Sequence, residues 1–198
     1  MEPKIVAGVD EVGRGSLFAS VVAAAVIFPV QPSWEWIKLS SYITEIKDSK
    51  QLTAKKRAEL SGIIRETCDW SIAEVSADKI DEMNIFRATL YAMFQAVHTL
   101  HWKPDLVLVD GSAEIPGLGI AQQAIIDGDN IDKRIAAASI VAKDYRDTLM
   151  IEISPSYPEY GLDKNKGYGT KAHKLAIATY GPTALHRKSF RGVSEYVR

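Results

Sequence analysis

The chain has 198 residues, 46% hydrophobic and 25% charged, which fits one medium-sized globular domain. A net charge of −1 gives no global argument for nucleic-acid binding, so any basic site must be a local patch. Cys68 is the only cysteine, which excludes an internal disulfide and any Cys-rich zinc site. The longest apolar run, 21 to 30, contains a proline and is too short to span a bilayer. A strand is expected within a few residues of the start, leaving no room for a signal peptide, so the expectation is a soluble cytoplasmic protein.

Ile5, Val6 and Val9 suit a buried strand, and Asp10-Glu11 arrive where that strand should end. Neighbours on an extended chain point to opposite faces, so only one of the two carboxylates is expected to project fully into a site. Such a pair most often just opens a polar loop. Here Gly13-Arg14-Gly15 follows at once, a turn that can expose N–H groups and let a ligand approach closely. Carboxylates beside a phosphate-friendly turn suggest a cation bridging protein and phosphate. The glycine order is neither the dinucleotide fingerprint nor a P-loop.

Residues 21–27 read as a second buried strand, closed by Pro29 and Pro32, and 31–47 as a loop or short helix. Asp48-Ser49-Lys50 is a polar turn. Thr53 caps a helix to about Thr67, with Leu60, Ile63 and Ile64 inward and Lys55, Lys56 and Arg57 outward. A strand at 70–75 and a short Ser76-capped helix at 77–82 come next. Asn84 begins the clearest helix, with Phe86, Leu90, Met93, Phe94, Val97 and Leu100 on one apolar face and no chemistry assigned. Residues 106–109 form a short strand ending in Asp110-Gly111, which repeats the design of the first motif. Residues 121–126 read as a further strand ending in Asp127-Gly128-Asp129-Asn130. A helix from about Lys133 to Met150 buries Ile135, Ala138, Ala142, Tyr145 and Leu149.

The alternation gives a mixed α/β core over 1–153, followed by a basic helical segment, 154–198. That segment carries Lys164, Lys166, Lys171, His173, Lys174, His186, Arg187, Lys188 and Arg191, interleaved with Tyr168, Tyr180 and Phe190. A charge run is usually a solvated face, but basic and aromatic residues together fit a nucleic-acid groove better.

These residues match a family. The chain resembles ribonuclease HII, the type 2 ribonuclease H, along nearly its whole length. The likeness rests on residues 8–15, Asp48-Ser49-Lys50, residues 80–85, Val109-Asp110-Gly111, Gly128-Asp129, residues 136–143, Lys166-Gly167-Tyr168 and Arg187-Lys188-Ser189-Phe190. The resemblance implies a ribonuclease H-like fold: a central mixed β-sheet flanked by helices, with a small helical C-terminal part. It implies hydrolysis of the RNA strand of RNA–DNA hybrids and cleavage 5′ to single ribonucleotides in duplex DNA. It maps the acidic set to Asp10, Glu11, Asp110 and Asp129. It implies substrate contacts from Gly13, Arg14, Gly15, Ser49, Lys50, Lys166, Tyr168 and Arg187, the Gly-Arg-Gly turn reading the ribose 2′-hydroxyl and Tyr168 packing on the following sugar. Where the family's turn continues Gly-Pro-Leu-x-Gly, this chain has Gly15-Ser16-Leu17-Phe18-Ala19, a change that bears on the rigidity of the turn. Asp127 adds a negative charge beside Asp129 and is expected to be solvated.

Two hard divalent cations about 3.5–4 Å apart would suit phosphodiester hydrolysis, and Mg2+ or Mn2+ is expected, with Asp10 and Asp110 the first ligands. His173 and His186 are expected to be structural or phosphate-facing rather than the base. A monomer acting on nucleic acid is expected, with no membrane partner. A metal-dependent phosphatase on a similar core would explain the acids but leave the basic-aromatic segment and the Gly-Arg-Gly turn idle. A non-catalytic nucleic-acid-binding module would leave four acids repelling the phosphate backbone.

Overall fold

The computed structural model describes residues 5–29 and 31–197; residues 1–4, Val30 and Arg198, and with them the outer ends of the two expected segments, lie outside that description. Five strands form one sheet: β1 Val6–Val12, β2 Val21–Ile27, β3 Asp69–Val75, β4 Leu106–Asp110 and β5 Ala121–Ile125. Their order is β3-β2-β1-β4-β5, antiparallel from β3 to β1 and parallel from β1 to β5. β1 runs on to Val12, beyond the expected end, because β2 pairs with it as far as Val12↔Val22.

Among the described residues eight α-helices surround the sheet: α1 Trp34–Ser40, α2 Ala54–Thr67, α3 Ala77–Met83, α4 Ile85–His98, α5 Gly128–Ile131, α6 Lys133–Ile153, α7 Leu162–Asn165 and α8 Lys171–Tyr180. Thr53, Ser76, Asn84, Asp132 and Thr170 each accept a backbone N–H at a helix start. Alternate residues of β2 face opposite cores, as a strand buried on both faces requires. Val21, Ala23 and Ala25 pack under α4, and Val22, Ala24 and Val26 under α2 and α6.

Three packing expectations are corrected. Phe86 is half exposed, because α4 turns its small side of Ala88, Ala92 and Ala96 to the sheet. Arg57 is buried: its Nη1 donates to the carbonyls of Ser49 and Leu52 at 3.1 and 3.3 Å and its Nη2 to Asp147 at 3.0 Å. α6 is enclosed along every residue from Ile135 to Ala142 rather than along one stripe, while Tyr145 and Leu149 are only partly covered. The alanines and Gly8 allow this. A Cβ on Gly8 would stand 2.2 Å from the Arg134 carbonyl carbon, so the start of α6 crosses β1 where no side chain intervenes.

A third cluster joins the ends of the chain. Leu17, Phe18 and Ala19 pack with Met150, Tyr160, Leu162, Ala176, Ile177 and Val193. Backbone bonds run the same way: Leu17 N–H to Gly167, Ala19 N–H to Leu185 and Arg187 N–H to Leu17, at 2.9, 2.7 and 2.9 Å. Gly8→Ala should cost about 3 kcal/mol through overpacking of α6 on β1. Urea unfolding measures this; an unchanged midpoint would mean that the helix can retreat freely.

Candidate active site

The last residues that β1 and β4 pair with each other are Val9 and Val109, and an aspartate follows each. One oxygen each from Asp10, Glu11 and Asp110 lie within 4.8 Å of one another. Both members of the Asp-Glu pair therefore reach the same place, against the expectation that only one would. β4 ends at Asp110, so no strand lines that edge of β1 beyond Val9, and the Glu11 side chain can lean into the gap.

Burial dominates the electrostatics. Asp10 is 4% exposed, and its pKa is pushed well up by burial, then by the charges of Glu11 and Asp110. Glu11 is raised by burial as well, with Arg14 working against the rise from 3.4 Å. Asp10 accepts the Glu11 N–H at 2.7 Å, and Asp110 accepts the Gly128 N–H at 2.8 Å. Asp129 stands outside the group of three, buried beside Asp48, and burial, Asp48 and Asp110 raise its pKa. Lys50 reaches both, 3.7 Å from Asp129 and 4.0 Å from Asp48. Burial opposes the Lys50 charge, but Asp48, Asp129, Asp10 and Asp110 outweigh it and raise the pKa. Asp48 has no assigned role in the sequence reading; its only signal there is its place at the head of Asp48-Ser49-Lys50.

These donors are all hard oxygens whose charged form is disfavoured without a neighbouring cation, which fits a divalent ion such as Mg2+ or Mn2+. A small pocket beside them is lined by Phe86, Thr89, Leu90, Met93, Ser112 and Ala113, so part of α4 borders the acids despite its reading as core only.

The Gly13-Arg14-Gly15 turn is held from below. Gly13 has φ +89°, and a Cβ there would lie 2.3 Å from Arg146 Nε. Arg146 is fully buried and donates to the carbonyls of Ser20, Lys166 and Phe18 and to Ser16 Oγ, at 3.2, 2.9, 3.0 and 2.8 Å. Gly13 thus makes room for an arginine, a role the sequence reading did not give it. Arg187 is also fully buried, donating to the carbonyls of Ala19 and Arg14 at 2.9 Å each. Its expected substrate contact is corrected: it meets no solvent and acts on the turn instead.

Ser49 is corrected likewise, being buried with its hydroxyl 2.9 Å from Ser139 Oγ. Lys166 is partly buried; its carbonyl serves Arg146 and its ammonium bonds the Asp163 carbonyl. Tyr168 is partly exposed, its ring centre 5.6 Å from the Arg146 guanidinium and 5.7 Å from the Lys143 ammonium. Arg14, Gly15 and Lys50 are exposed, as is Asp127. His173 and His186 are fully buried, so neither faces a phosphate. Lys164, Lys171, Lys174, Lys188 and Arg191 remain exposed.

A mixed five-stranded sheet with acids gathered at the ends of its adjacent parallel strands defines a protein of the ribonuclease H class. The family model for ribonuclease HII matches residues 7–193. Ribonuclease HII of Trichodesmium erythraeum (strain IMS101) is 51% identical over 185 residues, 93% of this chain and 85% of that protein. The ribonuclease H2 crystal structure from Pyrococcus horikoshii OT3 superposes with a TM-score of 0.77 at 24% identity, covering 97% of this chain and 96% of that one. A Bst ribonuclease HIII solved in complex with Mn2+ has a TM-score of 0.68 at 20% identity, covering 98% and 69%. The chain belongs to the ribonuclease HII family.

The sign of the burial effect gives a stability prediction. A carboxylate whose folded pKa is raised costs stability as the pH climbs from its unfolded value through the folded one, because the unfolded chain ionises first. Asp10→Asn should therefore raise the melting temperature of the metal-free protein at pH 7.5, by roughly 1–3 kcal/mol of stability. Calorimetry in chelator decides; a lower melting temperature would refute the crowding.

Proposed function

We propose that this ribonuclease H hydrolyses the RNA strand of RNA–DNA hybrids and cuts 5′ to single ribonucleotides in duplex DNA, with two divalent cations held by Asp10, Glu11, Asp110 and Asp129. The observation that carries the reading is the convergence of Asp10, Glu11 and Asp110 within 4.8 Å where the pairing of two parallel strands ends. Asp10 and Asp110 hold the shared centre, Glu11 completes one side and Asp129 the other. The bound cations, Mg2+ or Mn2+, would activate water and offset charge on the departing oxygen. The related ribonuclease HIII with Mn2+ supports that choice.

Recognition of the ribose falls to the turn. Arg187 draws the Arg14 carbonyl inward, and a trans peptide sets the next N–H in the opposite direction, so the Gly15 amide faces outward. A Cβ on Gly15 would meet nothing within 4 Å, so that position is open to a substrate. The 2′-hydroxyl can accept a hydrogen bond, and the outward Gly15 N–H can donate one to it. Lys50, exposed beside Asp129, meets a phosphate, and Tyr168 rests against the sugar after the ribonucleotide. The exposed lysines of the 154–198 segment follow the duplex backbone. No helix among the described residues is long and apolar enough to cross a membrane. We place the protein in the cytoplasm as a monomer on the same footing.

The direct experiment is incubation with a DNA duplex holding one ribonucleotide, with Mg2+ or Mn2+ and then with chelator. Asp10→Asn and Asp110→Asn should each lower the rate by at least about a hundredfold, as loss of a centre worth several kcal/mol requires, with the fold intact by circular dichroism. Retention of a tenth of the rate at saturating metal would contradict the assignment. Tyr168→Ala should lower the ratio of single-ribonucleotide to continuous-hybrid cleavage, and Tyr168→Phe should keep more of it. An unchanged ratio in Tyr168→Ala would reduce the tyrosine to packing.

A further inference from the structure

His173 and His186 are both fully buried in the C-terminal part of the chain, and neither belongs to the acidic site. Their hydrogen bonds have only one consistent arrangement of protons. The Thr183 N–H donates to His186 Nδ1 at 2.9 Å, so that nitrogen carries a lone pair. The His186 proton then sits on Nε2, which faces His173 Nε2 at 3.2 Å. That nitrogen must accept, which puts the His173 proton on Nδ1. The Nδ1 lies 3.0 Å from the Tyr168 carbonyl, which can only accept. The chain of donors runs one way, from Thr183 through both imidazoles to the backbone of Tyr168.

We propose that His186 and His173 are positioning residues, a neutral relay that fixes Tyr168 against the substrate. This rests on the reading of Tyr168 as the residue that meets the sugar. The tyrosine sits outside the sheet, on an irregular connection between α7 and α8 that is tied to the β1–β2 turn by a bridge between Ser16 and Tyr168, by the Leu17 N–H on the Gly167 carbonyl and by Arg146 on the Lys166 carbonyl, while the Tyr168 carbonyl also accepts the Thr170 N–H at 2.8 Å. Arg146 lies under the ring, and His173 is the one side chain bonded to the Tyr168 carbonyl among the described residues. The packing keeps the pair uncharged. The Phe18 ring stands edge-on to His186 at 4.8 Å, and the Tyr160 ring lies 4.9 Å from His186 and 6.1 Å from His173. The Tyr160 hydroxyl is turned away to the Gly181 carbonyl, and Arg187, next in the chain, is occupied with Ala19 and Arg14. Burial lowers both imidazole pKa values, that of His186 to about 4, and the two rings oppose each other's protonation.

The test uses the full chain. Nitrogen-15 spectra of the wild-type histidines at pH 7 should show His173 protonated on Nδ1 and His186 on Nε2; the opposite tautomer for either overturns the relay without any variant. Kinetics should then be compared for His173→Leu, His173→Asn and Tyr168→Ala on a single-ribonucleotide duplex and a continuous hybrid. His173→Leu should raise KM on the single-ribonucleotide duplex about three- to tenfold, the worth of one hydrogen bond, and lower the preference ratio as Tyr168→Ala does. His173→Asn, whose side-chain amide can reach the same carbonyl, should restore the ratio. If His173→Leu lowers both rates equally while Tyr168→Ala shifts the ratio, the imidazoles are packing and the relay is wrong. If Tyr168→Ala leaves the ratio unchanged, the reading of Tyr168 fails and the relay falls with it.

Discussion

Asp10 and Asp110 directly follow the last residues paired between two neighbouring parallel strands, so the sheet fixes their backbones side by side. Two like charges within 4.8 Å of each other repel by roughly 3–4 kcal/mol or more at an effective dielectric of 20. Burial adds to that cost. The surroundings answer with small dipoles and not with full ion pairs: the Glu11 and Gly128 amides, and Ser139 toward Asp10. Among the described residues only Arg14 and Lys50 bring charge, and both are exposed and engaged at 3.4 Å or more. The site is left short of positive charge in a way that bound cations relieve, and the fold tolerates this because strand pairing elsewhere fixes the backbone.

A converse arrangement lies under the adjoining turn. Arg146 and Arg187 are fully buried, and neither has a carboxylate within ion-pair distance among the described residues. Arg57 differs, having Asp147 at 3.0 Å. Burial lowers the pKa of both, that of Arg187 to about 9 with Arg146 contributing, and a guanidinium is the side chain that keeps its proton in such surroundings. Their partners are carbonyls from Arg14 to Ser20, Lys166 and the Ser16 hydroxyl. A guanidinium can hold several carbonyls at fixed angles where an ammonium cannot. Each carbonyl drawn inward turns a neighbouring amide outward, so the buried charges shape the face that the substrate meets.

Much of this was legible in the residues. β-branched and alanine runs marked the strands, capping residues marked the starts of α2, α3 and α4, and acids at strand ends marked the site. The resemblance of residues 8–15 and 136–143 to ribonuclease HII named the family. What stayed hidden were contacts that depend on distant parts of the chain. An arginine reads as solvated until the fold brings carbonyls to it, and those of Ser20 and Arg14 are 126 and 173 residues away from Arg146 and Arg187. Phe86 fits an apolar stripe by spacing, yet the alanines beside it make the closer contact with the sheet. The convergence of Asp10 with Glu11 needed the early stop of β4, which no local pattern in β1 reveals.

The same long-range bonds account for the departures at Ser16 and Ala19. A proline and a glycine at those positions would make the turn stiff and unstrained through their own backbone preferences. Here Ala19 sits at φ +61°, in the left-handed region that costs an L-residue about 1 kcal/mol. Its N–H and carbonyl are both taken, by Leu185 and by Arg187, and Ser16 Oγ both accepts from Arg146 and donates to the Phe18 carbonyl. The turn is therefore rigid by tethering and not by composition. Its shape depends on residues 146–187 being folded against it, which couples ribose recognition to the C-terminal part of the chain. The acids at the strand ends need no such support, so metal binding and sugar recognition rest on separable parts of the structure.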